Sequence, residues 1–72
     1  MVNVDLLRDA LSKQGVTVEQ AAQAIDVDRA TFYRRLATNG ARFTIDEVEK
    51  LAKLLNLSRV EMEHIFFARE LA

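Results

Sequence analysis

The chain has 72 residues, enough for one domain with one modest core and too few for a two-domain enzyme with a deep cleft. Half of the residues are apolar, which predicts a globular fold, and the absence of cysteine excludes disulfides and thiolate metal sites and fits a reducing cytoplasm. A net charge of −1 speaks against a uniformly basic nucleic-acid binder.

Taken in chain order, Asn3 is placed to cap a first helix running to about Gln14, with Val4, Leu7, Ala10 and Leu11 along one side and Gly15 ending it. Asp5, Arg8 and Asp9 interrupt this stretch, so neither a signal peptide nor a spanning helix is read there, and a cytoplasmic location is expected. Thr17 and Gln20 have the spacing of a reciprocal capping box, which starts a second helix at about Val18. Its inward positions are Ala21, Ala22 and Ile25, and the two alanines allow another helix to cross closely, as a helix-turn-helix requires. Asp26 stands where the chain must turn sharply, a place usually held by glycine, and aspartate tolerates the left-handed conformation better than most residues. Val27 then plugs the turn into the core. Asp28 caps a third helix running to about Ala37, and Asn39-Gly40 ends it.

Further on, Thr44 with Glu47 forms a second capping-box signature, before a helix to about Leu55 with Ile45, Val48, Ala52 and Leu55 at apolar spacing. Ser58 with Glu61 forms a third, opening a last helix to about Leu71. The sum is five helices with no credibly alternating strand, so the expected class is all-α, one domain over residues 1–72.

On the third helix, at roughly 100° per residue, Phe32 and Leu36 fall on one side and Ala30, Tyr33, Arg34 and Ala37 on the other. The first pair anchors the helix; the second set faces outward, with small Ala30 leaving room for close approach. Charge follows the same division. Residues 1–28 carry two basic and five acidic side chains, net −3, and residues 43–72 carry four basic and six acidic, net −2. Between them, residues 29–42 hold Arg29, Arg34, Arg35 and Arg42 with no acid, net +4. A basic patch on an acidic body steers toward phosphate while discouraging non-specific binding elsewhere.

The segment TVEQAAQAIDVDRATFYRRL, together with NVDLL before it and FTIDEVEKLAKLLNLS and EHIFF after it, resembles the phage repressor and Cro family of helix-turn-helix regulators, in particular its small single-domain phage or prophage members. The likeness runs over nearly the whole chain. It implies a compact five-helix, lambda repressor-like fold with a central helix-turn-helix, and sequence-specific binding of double-stranded DNA by a homodimer that acts as a repressor through the major groove. Two departures stand out: Asp26 replaces the turn glycine, and Tyr33-Arg34-Arg35 stands where many relatives carry Gln, Asn or Ser.

On this reading the expected DNA-contacting residues are Arg29, Ala30, Tyr33, Arg34 and Arg35, with Thr17 and Gln20 at the start of the second helix and Asn39 and Arg42 after the third. Arg34 is expected at a base edge, against a plain solvated arginine. Arg35 lies nearer the Phe32 flank, which leaves a phosphate contact and an intramolecular role equally open, and Tyr33 suits either groove contact or partial burial. Arg42 and the backbone at the start of the Val18 helix are suited to phosphate.

The last helix carries two apolar stripes, Met62, Ile65 and Phe66 against Val60, His64, Phe67 and Leu71. One stripe faces the core and the other is left for a second subunit. Sequence alone does not separate them; Val60, His64, Phe67 and Leu71 are taken as the dimer interface. His64 has no cysteine or second histidine to complete a metal shell and is read as a packed or interface residue. Asp46, Glu47, Glu49, Glu61 and Glu63 are read as caps and solvated faces, and no nucleophile, phosphate loop or metal set is present, so neither enzyme activity nor a cofactor is expected. The alternative function is a protein-interaction module of the same fold, antitoxin-like or an adaptor, which the acidic balance keeps open.

Overall fold

The computed structural model describes residues 2–37 and 43–67. These form five helices, α1 (Val4–Gln14), α2 (Val18–Ala24), α3 (Arg29–Ala37), α4 (Ile45–Leu54) and α5 (Arg59–Phe66), and no strand among the described residues. The class is all-α.

Each helix starts on a side-chain oxygen that accepts one of the otherwise unpaired first-turn N–H groups. Asn3 accepts from the Leu6 N–H at 3.1 Å and Asp28 from the Thr31 N–H at 2.7 Å. The three capping boxes are complete. In α2 the Gln20 side chain accepts the Thr17 N–H at 2.9 Å while Thr17 accepts from Gln20 at 3.1 Å, and the pairs Thr44–Glu47 and Ser58–Glu61 repeat this in α4 and α5.

Three of the helix ends share one device. Gly15, Asp26 and Asn56 take left-handed backbone (φ 64°, 59° and 53°), and the next residue, Val16, Val27 or Leu57, donates its N–H to the carbonyl five residues back, at 2.9 to 3.0 Å. This geometry satisfies carbonyls that a helix leaves open at its C-terminus. Each following apolar residue packs against the core, and the residue after it caps the next helix. Consecutive helices are thereby joined through a single left-handed residue. Nothing lies within 4 Å of where a Cβ on Gly15 would stand, so glycine is favoured there by its backbone angle alone.

The core is built from Leu7, Ala10 and Leu11 of α1, Ala21 and Ala22 of α2 with Ile25 just after it, Phe32 of α3, Val48 and Leu51 of α4 with Leu55 just after it, and Ile65 and Phe66 of α5. Phe32 of α3 is wholly buried in the same cluster as the small residues Ala21 and Ala22 of α2. Phe43 packs its ring 5.5 Å from Phe32 and 5.8 Å from Phe66, which joins α3 to α5 through aromatic contacts. The chain start is held to the last helix by the Asn3 N–H, which donates to the Ile65 carbonyl at 2.6 Å.

Two sequence expectations are corrected by the packing. Ile45, expected on the inward stripe of α4, is 75 % exposed, and Leu51 is wholly buried in its stead. At about 100° per residue, Val48, Leu51 and Leu55 cluster around one direction, while Ile45 lies almost a quarter-turn away at the first helical position. The second correction concerns α5, expected to run to about Leu71. It ends at Phe66, because Phe67 leaves helical geometry (φ −127°, ψ 27°).

Candidate nucleic-acid interface

Helix α3 is fixed by one face and open on the other. Phe32 is wholly buried and Leu36 half-buried against the core, whereas Arg29, Ala30, Tyr33, Arg34 and Ala37 are exposed. The residue spacing thus divides the helix as the periodicity predicts. Within Arg29–Ala37 there is no acidic side chain, and Arg34 and Arg35 lie in the last turn, where a cation is favoured by the helix dipole.

The exposed side chains are arranged by short-range contacts. Arg29 sits with its guanidinium 5.5 Å from the centre of the Tyr33 ring, a cation–π geometry, and donates from Nη1 to Glu19 Oε1 at 3.3 Å. Both partners of that ion pair are largely solvated, so it is a weak tie between α2 and α3. Arg34 donates from Nη2 to the Thr31 hydroxyl at 3.1 Å. Thr31 in turn hydrogen-bonds to Asp28, and these bonds hold the Asp28 carboxyl below the ordinary aspartate range, helped by the charge of Arg34. Tyr33 is 39 % exposed, so part of its ring is covered by the protein and part is open to a ligand.

Arg35 is placed differently from its neighbours. It is half-buried, its guanidinium lies 5.7 Å from the Phe43 ring centre, and Nη1 donates to Glu47 Oε1 across to the start of α4. The arginine holds the Glu47 carboxyl below the usual glutamate range against the opposing effect of burial. Of the two roles left open by sequence, the structure shows the intramolecular one. Thr17 and Gln20 are exposed but their side chains are engaged with each other in the capping box. Asn39 and Arg42 lie outside the described residues, as does the Asn39-Gly40 stop.

At the other end of the molecule, the stripes of α5 are sorted by packing. Ile65 and Phe66 are buried and Met62 is packed on the core, while Val60 is 60 % exposed and His64 is exposed. Phe67, expected on the open stripe, is half-buried against the core, a correction that follows from the helix ending one residue before it. Leu71 lies outside the described residues. Val60 and His64 edge a groove of about 200 Å³ with Leu6, Lys13, Leu57 and Glu61, none of them on α2 or α3. Among the described residues no three His, Asp or Glu gather as a metal site would need, and no helix is long and apolar enough to cross a membrane.

The sequence reading missed Glu19, Thr31 and Glu47 as partners of the arginines. Arg34 with Thr31 was within reach, being three apart on one helix face. Glu19 and Glu47 were not, since they reach α3 from other helices at separations of 10 and 12 residues.

No curated protein and no solved structure matches this chain. A family model described as a helix-turn-helix domain matches residues 4–65, from the first residue of α1 to within one residue of the end of α5. With α2 and α3 joined through the left-handed Asp26 and the plug Val27, and with that match over most of its length, the chain belongs to the helix-turn-helix domain family.

Proposed function

We propose that this domain binds double-stranded DNA in a sequence-specific manner, with α3 as the recognition helix in the major groove, and that it acts as a phage- or prophage-type transcriptional repressor. The observation that carries this reading is the outer face of α3, where Arg29, Tyr33 and Arg34 are exposed and free of acidic neighbours within the helix while buried Phe32 holds the helix in place. Arg34 serves as the base-reading residue, its forked guanidinium suited to the two acceptors of a guanine edge. Arg29 and Tyr33 flank it, and Ala30 allows close approach. Arg42 and the backbone at the start of α2 hold phosphate without reading sequence.

One helix-turn-helix reads few base pairs, so two copies acting on a two-fold operator, with recognition helices about 34 to 36 Å apart, give the specificity a repressor needs. Val60 and His64 are the described residues offered to that pairing. Selection of bound sequences from a random duplex pool, followed by titration at two salt concentrations, tests the reading. Enrichment of a two-fold symmetric sequence with a steep loss of affinity in salt is expected. No enrichment, with affinity indifferent to salt, would transfer the α3 surface to a protein partner and make the domain an adaptor. Sedimentation as a monomer both alone and on a full operator would remove the dimer.

A further inference from the structure

We infer that Glu47 is a positioning residue for the recognition helix: it clamps Arg35, fixes the C-terminal half of α3 against the start of α4, and keeps Arg35 out of the set of DNA contacts. The inference rests on the DNA-binding reading above and assigns a part to residues outside the reading face.

Four observations carry it. First, the Arg35 and Glu47 side chains are only 23 % and 13 % exposed, against 62 % and 67 % for the Arg29–Glu19 pair. A covered pair is screened little by water and salt, whereas an exposed one contributes next to nothing. Second, Glu47 Oε1 has two donors, Arg35 Nη1 and the Thr44 N–H at 2.8 Å, so one oxygen joins the first turn of α4 to the last turn of α3. Third, the Arg35 guanidinium lies 5.7 Å from the Phe43 ring, and Phe43 contacts both Phe32 and Phe66, so the clamp is continuous with the aromatic part of the core. Fourth, of the other helices α3 leans mainly on α2, which precedes it through the turn at its N-terminal end. Phe32, with half-buried Leu36, holds the helix to the core by its apolar flank. Arg35 adds a polar tie to α4 between those two positions, and reading of base edges tolerates misplacement of only about 0.5 Å.

The three capping boxes provide the means to test the clamp without breaking the helix start. Gln20 fills in α2 the place that Glu47 fills in α4, its Oε1 accepting the cap N–H at 2.9 Å. Glu47→Gln therefore keeps the cap and removes the charge. The experiment measures, for the parent, Glu47→Gln, Arg35→Met and the double variant, the affinity for the selected duplex and for its single-base variants, together with the salt slope. Arg35→Met retains an apolar stem over Phe43. Val48→Ala, a buried change on the same helix, controls for lost stability alone.

For each single variant the expected result is an affinity for the best site reduced roughly tenfold, the scale of one lost base contact, with a flattened ranking of single-base variants and an unchanged salt slope. The double variant should be no worse than either single one, as for two groups acting as a unit. Val48→Ala should lower the melting temperature and leave the ranking intact. Glu47→Gln with unchanged affinity and ranking overturns the inference. So does tighter binding with a slope steeper by about one unit, which would show that freed Arg35 reaches phosphate. A shallower slope in Arg35→Met overturns it as well, by making Arg35 a phosphate contact in the parent. If the parent enriches no sequence, the DNA-binding reading falls and takes this inference with it; enrichment by the parent isolates failure of the clamp.

Discussion

The turn between α2 and α3 and the turn between α4 and α5 have nearly the same backbone. Asp26 and Asn56 are both left-handed, Val27 and Leu57 both plug into the core and bond to the carbonyl five residues back, and Asp28 and Ser58 both cap the helix that follows. By local geometry the α4–α5 unit repeats the α2–α3 unit. Their second helices differ in what they hide. Helix α3 buries one residue, Phe32, and exposes arginines and a tyrosine without an acid between them, while α5 buries Ile65 and Phe66 and alternates Arg59 with Glu61 and Glu63 on its outside. The turn is thus a joint between helices, and recognition depends on the face it delivers.

The largest effects should come from the buried anchors and should be alike in the two units. Phe32→Ala and Phe66→Ala each remove a ring from the same aromatic cluster and should each cost about 3 to 5 kcal/mol, enough to unfold a domain of this size, as read by thermal or denaturant unfolding. A mild effect at Phe32 alone would mean that α3 is held by something besides its core face.

Next come substitutions that should separate the units. Arg34→Ala is expected to cost about 1 to 3 kcal/mol of operator binding and to relax preference at one base pair per half-site. Arg59→Ala, exposed at the start of α5 with only a solvated pairing to Glu63 at 3.5 Å, should leave binding within error. Reversed sensitivities in a duplex titration would name α5 as the reading helix.

Smaller changes test the joints themselves. Asp26→Gly and Asn56→Gly should each stabilise the fold by less than about 1 kcal/mol, since glycine takes the left-handed conformation freely but gives up some of the gain as entropy in the unfolded chain. Gly15→Ala, at the third such joint, should destabilise by about 1 to 2 kcal/mol. Unequal responses at 26 and 56 would show that the two turns are strained differently.

The smallest effect is in acid. Thr31 lowers the Asp28 carboxyl and Ser58 lowers that of Glu61. A carboxyl whose folded pKa is below its unfolded value adds stability that is complete above the unfolded value, near 4, and is lost as pH falls through the lower folded one. The same sign holds for Glu47, lowered chiefly by Arg35. Asp28→Asn, which keeps a capping oxygen, should flatten the part of the acid dependence that belongs to α3, in unfolding curves between about pH 5 and pH 2.

What sequence alone determined is the part of this protein that is local in the chain. Caps act on N–H groups two or three residues away and left-handed turns on the carbonyls just behind them, so Asn3, Gly15, Thr17, Asp26, Asp28, Thr44 and Ser58 marked the helix starts and two of the three turns, and 3.6-residue periodicity separated Phe32 from Tyr33 and Arg34. Asn56 was overlooked although it has the same kind of neighbours as Asp26. Packing decided the rest. Whether Ile45 or Leu51 enters the core depends on which arc of α4 meets α2, and whether Phe67 is free or covered depends on where α5 stops. The three arginines of α3 look interchangeable in sequence, yet Arg35 is bound to a glutamate twelve residues away and Arg29 to one ten residues before it, leaving Arg34 the one that keeps to its own helix. Such choices belong to the tertiary structure because they depend on distances between helices, which no periodicity within a single helix encodes.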